Sequence, residues 1–152
     1  TESYESREKI HYYQAMAGIG FANVGLGMVH GIAHAYGAIF DMPHGLTNAI
    51  ILPYVLEYNS QNETVSEKLR KLAYGCGCND IIAAIMDLNQ RLNIPASFAE
   101  AGISEADFSA EFDLIVSHSM MGATKVNPVE MTIQSMKDMV RSVYYGKKGT
   151  GE

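Results

Sequence analysis

Apolar residues return three and four positions apart along nearly the whole chain, and no run alternates with period two over a useful length. A half-buried strand needs the alternation and an amphipathic helix needs the wider spacing, so the sequence predicts an all-α domain. From Tyr4 to Tyr36 the stripe reads Ile10, Tyr13, Ala17, Phe21, Val24, Met28 and Ile32. It also carries Gly18, Gly20, Gly25, Gly27 and Gly31, each of which weakens a helix interior by roughly 1 kcal/mol relative to alanine. Glycines at that density imply that another backbone passes very close. The pair Gly18 and Gly20 has neither a preceding β-branched strand nor a third glycine in register, which argues against a dinucleotide loop.

The chain's punctuation divides the rest. Asp41-Met42-Pro43 breaks the first helical stretch, Asp suiting a cap and Pro a first turn, and a second helix is expected over 45–57. A third is expected over 63–74, ending at Gly75-Cys76-Gly77. Asn79-Asp80 caps a fourth over 81–92, with Ile81, Ile82, Ile85, Met86, Leu88 and Leu92 as its expected buried face. Asn93-Ile94-Pro95 stops it. Ser104 and Asp107 have the spacing of a capping box and open a fifth. A sixth follows Asn127-Pro128 through Ile133, Met136, Met139 and Val140 to Tyr144 or Tyr145, with Gly146 ending it. No repeat, low-complexity tract or linker interrupts this series, so residues 1–152 read as one domain, long enough to bury a core.

Composition narrows the partners. Hydrophobic residues at 47% and charged residues at 18% exclude a disordered chain. A net charge of −6 argues against a nucleic-acid or anionic-membrane surface. The small basic groups at Lys68, Arg70, Lys71 and at Lys147, Lys148 read as solvated faces. No apolar run approaches the length of a membrane span. Cys76 and Cys78, one residue apart, could pair only with heavy strain; two reduced thiols point to a cytoplasmic protein. The chain opens on Thr, already in a helical pattern, which hints at a piece of something longer.

Three of the five histidines, His30, His34 and His44, fall within fifteen residues in apolar, glycine-rich surroundings. On a helix His30 and His34 share nearly one face, although such pairs also arise by chance and the Glu of an H-E-x-x-H zinc site is absent. In an unbroken helix His44 would stand about 21 Å from His30, whereas two ligands of one ion have donors only about 3 Å apart. They can share an ion only if the chain turns back at Asp41-Met42-Pro43. The plainer alternative is that His44 opens a helix and bonds only backbone.

The run Gly20–His34 (GFANVGLGMVHGIAH) followed by Pro43–Pro53 (PHGLTNAIILP) closely resembles the iron-containing, group III alcohol dehydrogenases. The likeness continues more loosely through Asn93-Ile94-Pro95, Ala101-Gly102-Ile103 and Asn127-Pro128 to Tyr145. Val129 departs from it, since the family usually has Arg after Asn-Pro. The resemblance implies the helical domain of the dehydroquinate synthase-like, iron alcohol dehydrogenase type, without its N-terminal α/β dinucleotide-binding domain. It implies that His30 and His44 bind a divalent metal, ferrous iron or zinc. An Asp and a further His four residues apart and upstream would complete the set, and no such pair precedes His30 here. It implies that His34 is not a ligand but lies beside nicotinamide and substrate and relays the alcohol proton. Phe21 and Leu26 match positions lining a narrow substrate channel, and equally suit a helix core.

These residue types fit the chemistry the resemblance implies. A metal held by neutral imidazoles and a carboxylate lowers the pKa of an alcohol hydroxyl and polarises an aldehyde in reverse. An imidazole, which ordinarily changes charge near neutral pH, can hand the proton to solvent. NAD or NADP would take the hydride, held by the missing domain, which is thereby a required partner; the substrate would be a short primary alcohol, diol or aldehyde. The expected function is thus part of a metal-dependent alcohol dehydrogenase, inactive alone, with homo-oligomers within reach. Two alternatives stay open: a self-standing helical module that binds metal weakly or contacts proteins, and the glycerol dehydrogenase or dehydroquinate synthase branch.

Overall fold

The structure, a computed structural model, describes residues 3–146, so Lys147 and Lys148 lie outside the described residues. It contains seven α-helices and one 3₁₀ segment, with no strand among the described residues, as the apolar periods predict. The helices are α1 (Tyr4–Val24), α2 (Met28–Phe40), α3 (His44–Asn59), α4 (Glu63–Gly75), α5 (Ile81–Arg91), α6 (Glu105–Ser119) and α7 (Ile133–Tyr145), with the 3₁₀ segment at Gly122–Val126.

The stretch expected as one helix over 4–36 is two. Gly25 and Gly27 hold φ angles of 85° and 77°, a region open to glycine and costly for side chains. The elbow they form turns α2 by 105° from α1. Downstream, Asp41 does not cap α3. It ends α2 in a left-handed conformation (φ 51°), and Pro43 stands at the N-cap of α3. Other expected caps are present: Asp80 accepts from the amides of Ile82 and Ala83, and Ser104 from that of Asp107.

α2 is the central element. Met28, Ile32 and Tyr36 are fully buried, one or two turns apart, on a helix packed against α3, α6 and the 3₁₀ segment, and Tyr36 donates its hydroxyl to the Val140 carbonyl of α7 at 3.4 Å. Tyr36 stacks on Phe98 with ring centres 3.7 Å apart, and Phe108 stacks likewise on Tyr144. Gly31 lets the 3₁₀ segment lie directly on α2, where a Cβ would overlap Thr124 Oγ1 and come within 3.2 Å of the Ser119 carbonyl. The close approach expected of these glycines occurs at Gly31, against this segment and the end of α6, whereas a Cβ on Gly18 or Gly20 would have no other element within 4 Å.

α3 runs through Pro53, which has no N–H for the carbonyl of Ala49. Asn89 of α5 fills the gap, donating Nδ2 to that carbonyl at 2.8 Å. The apolar face expected for α5 is only partly covered: the helix has no buried residue, and Met86, Leu88 and Leu92 are exposed. α1 buries nothing either, leaving Ile10, Tyr13, Met16 and Ile19 in the open. No single helix among the described residues is long and apolar enough to cross a membrane. Cys76 and Cys78 are free thiols.

Candidate metal centre

The sharp turn at residues 41–43 brings the start of α3 back along α2, and the three histidines meet. Ring centres lie 5.3 Å apart for His30 and His44, 5.3 Å for His34 and His44, and 6.0 Å for His30 and His34. Two imidazoles on one tetrahedral ion, with bonds of about 2 Å, have ring centres roughly 5 Å apart. The His30–His44 spacing fits a shared cation, and so does His34–His44, so ring spacing alone does not separate ligand from neighbour.

His30 is half-buried, and its Nδ1 is buried without a hydrogen-bond partner. An orphaned polar atom of that kind costs about 1–3 kcal/mol, which a bound cation can offset. Burial lowers the His30 pKa first, and the nearby His44 and His34 lower it further. The neutral ring that results is the form a metal requires. Asn48, one turn after His44, donates Nδ2 to the His44 carbonyl at 3.0 Å while its own Oδ1 is buried and unpartnered.

The donor set is incomplete. Among the described residues no group of three or more His, Cys, Asp or Glu is arranged to hold a metal by itself. The residues present fit part of a coordination sphere made of imidazole nitrogens.

Phe21, near the end of α1, sets its ring 6.4 Å from that of His30. Leu26 lies half-buried in the elbow. His34, exposed toward the cluster, also lines a small cavity of about 250 Å³ with His118, Met121 and Gly122. His118 carried no spacing signal toward the other histidines. A larger cavity, about 1030 Å³, lies elsewhere, between α3, α5 and residues 93–100, and none of the three histidines lines it.

The chain is similar to known proteins along most of its length. Residues 1–144 match the model of the Fe-containing alcohol dehydrogenase family, C-terminal. The chain is 37% identical to an NADPH-dependent butanol dehydrogenase of Clostridium saccharobutylicum, over 93% of the chain and 39% of that enzyme. It is 32% identical to lactaldehyde reductase of Escherichia coli, over 92% of the chain and 38% of that enzyme. Among solved structures, an iron-containing alcohol dehydrogenase from Thermococcus thioreducens superposes with a TM-score of 0.86 at 29% identity, covering 95% of this chain and 39% of that one. The chain therefore spans about two fifths of the length of the curated relatives it matches.

Proposed function

The chain belongs to the Fe-containing alcohol dehydrogenase family, as its C-terminal helical part, and on that premise we propose that it supplies half of a metal site and one wall of the substrate site. The whole enzyme would interconvert short primary alcohols or diols with their aldehydes, using NAD or NADP. The observation that carries this reading is the meeting of the His30, His34 and His44 rings, with one ring nitrogen of His30 buried and unpartnered.

In this reading His30 and His44 bind the ion through neutral imidazoles. A divalent ion held there, ferrous iron or zinc, would supply the Lewis acidity that favours the alkoxide and polarises the aldehyde. His34, one turn from His30, would hold the alcohol proton on a ring nitrogen and release it to solvent. Phe21 covers His30 from the α1 side and narrows the approach, with Leu26 beside it in the chain. We assign nucleotide binding, and the remaining Asp and His ligands, to the part of the enzyme outside this sequence. Alone, the chain would bind metal weakly and turn nothing over, because nothing holds a hydride acceptor near the substrate; positioning of that kind is worth about 7–11 kcal/mol.

The test uses alanine variants of the completed enzyme, with the 152-residue chain assayed beside it. His30→Ala and His44→Ala should lose most of the metal found by elemental analysis. His34→Ala should keep the metal while turnover falls by about 10²–10⁴. The chain alone, given ferrous iron, NAD or NADP and a short primary alcohol, should show no metal-dependent turnover. Full occupancy in both ligand variants sinks the site, loss of metal with His34 makes it a ligand, and turnover by the chain alone refutes its dependence on the rest.

A further inference from the structure

α2 starts at Met28 behind Gly27, which has no side chain to accept from the first amides of the helix. The acceptor comes from 99 positions away, where Asn127 Oδ1 takes the Met28 N–H at 3.4 Å. The same carboxamide is held from its other sides. Its Oδ1 accepts from Asn59 Nδ2 at 3.0 Å, and its Nδ2 donates to Asn59 Oδ1 at 2.7 Å and to the Val129 carbonyl at 2.8 Å. Asn59 is the last residue of α3 and is buried. The two amides pair reciprocally, so one contact refers the helix of His30 to the helix of His44.

The surrounding chain is shaped to seat this contact. A Cβ on Gly25 would stand 2.8 Å from Val126 Cγ2, and one on Gly31 would overlap Thr124 Oγ1. Residues 124–127 thus lie along the turn that carries His30, without side chains in the way. A long hydrogen bond alone would hold that turn loosely; the fixed orientation of Asn127 and the glycine seat remove the slack.

We propose that Asn127 is a positioning residue for His30: by capping α2 while paired to Asn59, it fixes the His30 imidazole at the separation from His44 at which one cation can take both. The proposal rests on the reading of His30 and His44 as ligands.

Zinc ion is the probe, titrated into the 152-residue chain and followed at the histidine Hε1 resonances. Asn127→Ala should weaken zinc binding at His30 by about tenfold, the scale on which outer-shell partners act. Asn127→Asp, which keeps an acceptor for the Met28 amide but sets an oxygen against Asn59 Oδ1 and the Val129 carbonyl in place of the amide donor, should weaken zinc as well, because the pairing that orients the side chain is lost. Val140→Ala, a deletion in the core far down the chain on α7, should lower Tm while leaving zinc affinity within about twofold of the parent. Where Asn127→Ala does not fold, Asn59→Ala serves, since it frees Asn127 to turn and should weaken zinc in the same direction. Parental zinc affinity in Asn127→Ala or Asn59→Ala, with binding abolished by His30→Ala, overturns the positioning role alone. Parental affinity in His30→Ala overturns the ligand reading and the positioning role with it.

Discussion

His30 is pressed toward its neutral form by burial and by two neighbouring imidazoles acting in the same direction. Its proton should therefore leave below the ordinary histidine value of about 6.5. Between the lowered native pKa and that ordinary value the unfolded chain binds more protons, so stability rises with pH across the window and is lost as pH falls through it. A proton NMR titration of the Hε1 resonance should give a midpoint under 6.5, and His30→Ala should flatten the acid side of the stability curve. A midpoint at or above 6.5 would mean that the cluster is more open to water than its burial indicates. The three histidines were legible in the sequence because their spacing is local and a turn signal lies between them. Asn127, Asn59 and His118 were not, because their contacts join positions such as 28, 59 and 127, and no local period records such a meeting.

Among the elements, α2 is the most sensitive to added volume. Gly31→Ala improves helix propensity by roughly 1 kcal/mol, yet its new methyl must displace Thr124 from the Ser119 carbonyl, to which Thr124 Oγ1 donates at 2.5 Å. Overpacking of that kind costs about 1–3 kcal/mol. The variant should melt several degrees lower, while Gly45→Ala, with nothing near the added Cβ, should melt no lower than the parent. Equal melting of Gly31→Ala and the parent would show that the 3₁₀ segment yields freely. Periodicity yields six helices where the structure has seven, because the elbow is invisible to it: Val24, Met28 and Ile32 keep their helical phase straight through the bend. Only paired glycines with positive φ mark the bend. Pro53 likewise left no break in α3, because Asn89 takes the carbonyl that the proline strands. That bond also helps to hold α5 in place although little of its apolar face is covered.

At the scale of the whole molecule, α1 stands apart from the core. It is a helix of 21 residues with none buried, and Met16 and Ile19 are 66% and 69% exposed. An apolar surface of that extent favours association, so sedimentation velocity should show mass rising with concentration, and Met16→Lys with Ile19→Lys should suppress the rise. A strictly monomeric parent at high concentration would show that α1 satisfies itself. The fold class was readable from the whole chain; the isolation of α1 was not, since its apolar stripe looks like any buried face until its neighbours are counted. A lone helix of this length, with Gly18 and Gly20 inside it, is marginal in water. The family match takes in the whole of α1, whereas full burial begins at Met28. Inheritance and cooperativity thus part company at α1: the helix lies inside the segment shared with the family but contributes no buried residue to a core that could melt with it.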